Sequence, residues 1–272
     1  MSDVIEGVRG HYRATGLTER LKAALAALGP EDQPLTPQQL GPLDQYHTRG
    51  LGATAELAEL AQITAERSVL DVGSGVGGPA RFLAATYGCR VMGIDLSESF
   101  VDGARYLTDR TGLSGLVSFE TASALELPFG DGRFDVVLMQ HVAMNISDRA
   151  RLYREIRRVL KSRGRFATFD VVLMSGEPHY PLPWSRTPAT SFLLSAAATR
   201  EAIEPAGFRT LEWRDDTEAA KAWIARQRTS GPPPSLSLSV VMGPDIAQFF
   251  TNLGRNLSEG RLGVLMAVFE AV

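Results

Sequence analysis

Short apolar runs and amphipathic stretches alternate through the middle of the chain. Val69, Leu70 and Val72, then Val91, Met92 and Ile94, then Val136 through Met139 form compact apolar runs bounded by glycine or polar residues. Such runs predict buried strands at Ser68–Val72, Arg90–Asp95, Val117–Thr121, Phe134–Met139 and Gly164–Val171. The stretches between them carry helical spacing, predicting helices at Pro79–Tyr87, Glu98–Thr111 and Asp148–Leu160. A further helix, Leu51–Ile63, places Leu57, Leu60 and Ala61 on one face and leads into the first strand. Strands alternating with helices imply βαβ units and a parallel sheet covered on both faces. The expected fold class is therefore α/β, a Rossmann-like doubly wound sheet.

The flanks break this rhythm. Leu21, Leu25 and Leu28 recur at helical spacing in an N-terminal arm, and Gly29, Pro30, Pro34, Pro37, Gly41 and Pro42 then read as loop. Beyond residue 171 come a proline-rich stretch (Pro178, Pro181, Pro183, Pro188), a helix at Thr199–Ala206 and a strand at Phe208–Trp213. A helix at Thr217–Arg228, a break at Pro232–Pro234, a helix at Asp245–Leu257 and a last strand at Leu262–Phe269 complete the pattern. The expected organisation is a helical arm or lid over residues 1–50 and a core over 51–272, with cap segments at about 175–198 and 215–258.

Composition narrows the class. The chain has 272 residues, 44% hydrophobic and 22% charged, which is the balance of a folded globular protein. A formal charge of −3 supplies no positive field for a phosphate backbone, so no nucleic-acid partner is expected. One cysteine, Cys89, excludes an intramolecular disulfide framework, and Glu6 and Arg9 stand where a signal peptide would be apolar, so the expected compartment is cytoplasmic. No apolar run reaches the roughly 20 residues of a membrane span. His11, His47, His141 and His179, with Cys89, match no metal-ligand spacing, and no metal is expected.

The candidate chemistry begins at Val69–Gly78, where glycines follow a strand and open a helix. Gly73, Gly75 and Gly78 satisfy G-x-G-x-x-G, a weak signal alone but placed here in its confirming βαβ context. Asp71, two residues before the first glycine, would repel a pyrophosphate and welcome an ammonium, which disfavours NAD. Asp95 ends the next strand, where a carboxylate can accept both ribose hydroxyls. These residues point to a nucleoside that lacks phosphates and carries an amino-acid tail.

With Val69–Gly77, Val91–Ser97, Ala124–Asp135 and Leu152–Gly164 taken together, the chain resembles the class I S-adenosylmethionine-dependent methyltransferases over about residues 45–272. It is most similar to the ubiquinone/menaquinone C-methyltransferase, sarcosine/dimethylglycine and phosphoethanolamine N-methyltransferase groups. The resemblance implies a seven-stranded sheet with an antiparallel last strand, S-adenosyl-L-methionine as cofactor and a small-molecule methyl acceptor. It puts Gly73, Ser74 and Gly75 under the methionine part, Asp71 near its amino group, Asp95 on the ribose and Leu96 against the adenine. Ser123 and Ala124 stand where the family usually has an acidic partner for the adenine amino group, and Gln140 and Thr48 complete the implied cofactor set.

Methyl transfer from a sulfonium is largely a matter of alignment, and a base is needed only for a protonated acceptor. The candidates are His141, Tyr12 and His47, with Trp184 as a possible pocket wall. In the phosphoethanolamine relatives a tyrosine of the arm pairs with a histidine after the fourth strand, and that second position is Asn145 here. Ser123 and Asn145 are departures that keep an alternative open, a cofactor-binding regulator or non-catalytic module of the same fold. The protein is expected to be a monomer or homodimer without a membrane partner.

Overall fold

The computed structural model describes residues 2–12, 14–229 and 236–272. The expected break at Pro232–Pro234, and part of the expected 215–258 cap, lie outside the described residues. The chain opens with helices α1 (Ser2–His11), α2 (Leu17–Leu25), α3 (Pro37–Asp44) and α4 (Leu51–Leu60). The alternating region follows as β1 (Ser68–Val72), α5 (Gly78–Tyr87), β2 (Arg90–Asp95), α6 (Glu98–Arg110), β3 (Val117–Thr121), β4 (Phe134–Gln140), α7 (Arg149–Val159) and β5 (Leu160–Leu173). Then come α8 (Ala196–Ile203), β6 (Phe208–Asp215), α9 (Thr217–Thr229), α10 (Leu238–Met242), α11 (Ile246–Ser258) and β7 (Leu262–Ala271).

Among the described residues seven strands form one sheet in the order β3-β2-β1-β4-β5-β7-β6. The first five strands pair in parallel, with Asp71 level with Gly93 on one side and Leu138 on the other. β7 runs antiparallel to both β5 and β6. The expected fold class is thus observed. The strand order reverses between β1 and β4, which opens a crevice at the carboxyl ends of these strands where doubly wound folds bind ligands.

The central strands are buried on both faces because helices cover both. One apolar layer joins Leu57 of α4, Leu83 of α5 and Leu253 of α11 to the sheet, and the other joins Leu152 and Ile156 of α7 to its opposite face. A third cluster locks the arm down: Leu17, Leu21 and Leu25 of α2 meet Leu40 and Leu43 of α3, Phe100 and Leu107 of α6, and Val241 of α10. Burying several leucines of this kind contributes roughly 1.5–3 kcal/mol for each side chain.

Four local expectations are corrected. The Pro37–Pro42 stretch, expected to be loop, is α3. Its Pro37 occupies the first turn, where no N–H is missed, and Thr36 and Gln39 form a reciprocal capping box that satisfies two free donors. The expected strand Gly164–Val171 extends over Leu160–Leu173, because β7 pairs with it as far as Leu173. Helical spacing makes Arg149, Arg151, Arg154, Arg157, Arg158 and Lys161 an expected solvated face, yet Arg158 donates to the carbonyls of Phe129 and Leu127 and pairs with Glu155, while Arg157 donates to the Val272 carbonyl. Trp184 does not wall a pocket. It is 1% exposed in the core and its indole N–H donates to Ser191 at 2.9 Å.

Candidate active site

The loop from β1 into α5 is folded back onto the end of β2. The N–H groups of Gly73 and Ser74 both donate to the Ile94 carbonyl, at 2.8 and 2.9 Å. That turn needs left-handed backbone, with φ of 72° at Gly73 and 55° at Gly75. The two glycines differ in surroundings. A Cβ on Gly73 would lie 2.3 Å from Val142, whereas one on Gly75 would meet nothing within 4 Å and would project into open space.

That space is a cleft at the carboxyl edge of the sheet. Asp71, Gly73, Ser74, Gly75, Asp95, Leu96, Ser123, Ala124 and Gln140 all line it, as do Tyr12, His47 and His141. Thr48 does not: it is fully buried behind the wall, with its hydroxyl 3.4 Å from His141 Nε2. The proline-rich 178–188 segment is likewise absent from the lining and buttresses it from behind. Its Trp184 carbonyl accepts from Asn145 and its Pro183 carbonyl from the Tyr46 hydroxyl.

The carboxylates around the cleft are poorly compensated. Asp71 is 2% exposed and its Oδ2 has no hydrogen-bond partner, nor has Ser74 Oγ. Burial, reinforced by the nearby charge of Asp95, lifts the Asp71 carboxyl from 3.8 to about 7. Asp95 accepts the Gly75 N–H on Oδ2 and the Ser97 N–H on Oδ1, both at 2.9 Å. Burial still raises its pKa against those bonds. Asp170, beneath the loop after β4, accepts from the Ala143 N–H at 2.8 Å and is raised by burial to about 6. Asp44 is the paired one, bound by the fully buried Arg81 guanidinium at 2.8 Å.

Beyond Gln140 the chain turns at His141, whose φ of 53° is unusual for a residue other than glycine. Its N–H donates to the Phe169 carbonyl at 2.8 Å and its ring stacks on the Phe169 ring at 5.2 Å. Burial, then the neighbouring His47, holds its pKa well below the usual histidine value, so it is neutral at pH 7. His47 is also neutral, lowered to about 4 by burial. With its Nδ1–H donating to the Thr48 carbonyl at 3.1 Å, its Nε2 accepts from Gln140 Nε2 at 3.3 Å, and the Thr54 hydroxyl donates to Gln140 Oε1 at 3.3 Å. His47 therefore orients Gln140. Tyr12 donates to Asn145 Oδ1 at 2.9 Å, and Asn145 in turn donates to the Trp184 and Thr190 carbonyls. Burial, with Asp95 and Asp170 nearby, raises the Tyr12 phenol far above its usual value and keeps it protonated.

Residues 70–175 match a family described as a methyltransferase domain. This part of the chain belongs to that family. The methyltransferase domain is shared with Methyltransferase GfsG of Streptomyces halstedii, 36% identical over 137 residues, 50% of this chain and 48% of that protein. It is also similar to a sarcosine/dimethylglycine N-methyltransferase of Halorhodospira halochloris, 38% identical over 109 residues, 40% of this chain and 39% of that protein. The chain thus spans less than half the length of these curated relatives. In fold it is similar to geranyl diphosphate C-methyltransferase from Streptomyces coelicolor A3(2), with a TM-score of 0.72 at 17% identity over 99% of this chain and 98% of that one. The [4+2]-cyclase SpnF gives 0.66 at 23% identity over 89% and 99%. Likeness at these identities shows the fold alone.

Sequence reasoning missed several individual residues that the cap and the arm bring to the cleft. Val241 and Met242 of α10 line it although they lie about a hundred residues beyond β4. Asp44 and its Arg81 partner carried no local signal, since the pair forms only when α3 packs on α5. Among the described residues no group of histidine, cysteine or carboxylate side chains could hold a metal, and no helix is long and apolar enough to cross a membrane.

Proposed function

We propose that the protein transfers a methyl group from S-adenosyl-L-methionine to a small-molecule acceptor. The observation that carries this reading is the unpartnered Oδ2 of Asp71, buried beside a glycine whose Cβ position faces open cleft. An isolated buried carboxylate is costly, and a ligand ammonium is the partner it lacks. The residues present fit the cofactor. Asp71 accepts from its amino group, and Gly73 and Gly75 let its amino-acid tail approach the backbone. Ser74 supplies a hydroxyl, and Gln140, held by His47 and Thr54, orients the same tail. Each oxygen of Asp95 keeps a lone pair beyond its backbone bond and can accept a ribose hydroxyl. Leu96, Ser123 and Ala124 enclose the adenine end, with Ser123 Oγ already accepting from the Leu125 N–H.

The bound cofactor would supply a methyl group on a sulfonium, a leaving group that needs no protonation. His141, neutral at pH 7, takes the proton of the acceptor's nucleophilic group on Nδ1 while its Nε2–H donates to the Thr48 hydroxyl. Tyr12, anchored by Asn145, orients the acceptor and does not act as base, because its phenol stays protonated. In this reading residues 1–50 act as a lid on a cytoplasmic monomer or homodimer with no nucleic-acid partner.

Thermal melts with S-adenosylmethionine, S-adenosylhomocysteine and NAD added separately test the cofactor assignment. Stabilisation by the first two and not by NAD is expected, and the reverse would refute it. Incubation of labelled cofactor with a metabolite extract tests the transfer itself. Binding without any labelled product would leave the non-catalytic module as the better reading.

A further inference from the structure

The cleft lining not assigned to the cofactor is mostly hydrocarbon, with Val8 of α1, Leu43 of α3, Phe100 of α6, Ile146 beyond β4, and Leu238 and Val241 of α10, and its polar members Tyr46, Asn145 and Ser147 are uncharged. Among the described residues no lysine or arginine lines it. The arginines that flank it in the chain are committed elsewhere. Arg20 donates to the Val240 and Val241 carbonyls of α10, Arg49 pairs with Glu56 and Asp216, and Arg149 donates to the Phe192 carbonyl and the Tyr153 hydroxyl. Of the carboxylates on the cleft, Asp44 is paired with the buried Arg81, Asp71 and Asp95 are taken up by the cofactor in the reading above, and Asp170 lies behind. An anion placed there would lose its water to hydrocarbon and find no lysine or arginine on the lining to replace it.

We infer that the acceptor is an uncharged, largely hydrocarbon molecule presenting a hydroxyl, and that carboxylates and phosphate esters are excluded. This rests on the proposed methyl transfer. The hydroxyl meets the polar end of the cleft, where His141 is neutral and Tyr12 is held by Asn145. There the oxygen–methyl bond forms as the sulfur–methyl bond breaks, sulfur keeps the electron pair, and the hydroxyl proton passes to His141. A protonated amine would bring its charge into hydrocarbon and has no lone pair for the methyl group until it gives up a proton.

The test is calorimetric titration of the full chain saturated with S-adenosylhomocysteine, using estradiol and 1-naphthol as neutral probes and 1-naphthyl phosphate and 1-naphthoate as anionic ones. At least one neutral probe should bind, and 1-naphthyl phosphate should bind about tenfold or more weakly than 1-naphthol. Leu238→Arg and Met242→Arg, each placing a cation on the wall, should narrow or reverse that preference while S-adenosylhomocysteine affinity is retained. Tighter binding of either anionic probe, no binding of either neutral one, or a preference unmoved in both variants would overturn the inference. Failure of S-adenosylhomocysteine itself to bind would instead remove the cofactor reading on which it rests.

Discussion

Asp71→Asn should push stability and cofactor affinity in opposite directions. In the native cleft the carboxyl sits at about 7 against an ordinary value of 3.8, so the folded protein binds this proton more tightly than the unfolded chain does. Folding is therefore progressively disfavoured as pH rises from about 4 to 7, and above 7 the full shift of about three pKa units amounts to about 4 kcal/mol. Asparagine has no charge to bury. It brings instead an amide donor whose lack of a partner costs about 1–3 kcal/mol at every pH. The stability of the variant relative to wild type should accordingly rise by about 3 kcal/mol between pH 5 and pH 8, and at pH 8 the cofactor-free variant should be the more stable protein. Loss of a charged bond to the ammonium, about 1.5–3 kcal/mol, should at the same time weaken S-adenosylhomocysteine roughly ten- to a hundredfold. Urea denaturation across that pH range, paired with calorimetric titration, reads both quantities. A stability difference that does not change with pH would mean that the carboxyl is already paired in the native cleft, and the argument for a missing cationic partner would fail.

Three further outcomes follow from the same geometry. Asp95→Ala should weaken cofactor binding by about 2–3 kcal/mol through the loss of two charge-assisted bonds, and an unchanged calorimetric affinity would remove the ribose assignment. Gly75→Val should abolish binding because the branched side chain projects into open cleft, at some cost in melting temperature from its left-handed backbone, whereas Gly73→Ala should lower the melting temperature through its clash with Val142. His141→Ala should reduce turnover on an identified acceptor by about 10²–10⁴-fold with far less change in cofactor affinity, and wild-type turnover in that variant would leave alignment as the source of catalysis.

The core of the fold was legible from period alone. β1 and β2 end where their apolar runs do, because a strand covered on both faces is largely apolar and its glycine and polar borders are local, while β3 at the sheet edge shows the alternation of a half-buried strand. The glycine loop with Asp71 and Asp95 was legible for a related reason: a strand–turn–helix ligand site is encoded within a few dozen consecutive residues. Family resemblance added the identity of the ligand, which spacing could not supply.

What decided the rest was contact between segments distant in sequence. The prolines around α3 read locally as loop, yet its capping box, the burial of Leu40 and Leu43 and the Arg81–Asp44 pair hold it helical. His47 looked like a base because it is a histidine in a loop. The fold buries it among Thr48, Thr54 and Gln140, where its ring nitrogens are occupied and its proton affinity is lowered. Trp184 looked like a pocket wall because it follows β5, and packing placed it in the core. The missing counter-charge of Asp71 and the hydrocarbon wall contributed by α10 are likewise properties of assembled surroundings. Desolvation and charge pairing depend on everything within a few ångströms of a group, and a sequence records only its covalent neighbours.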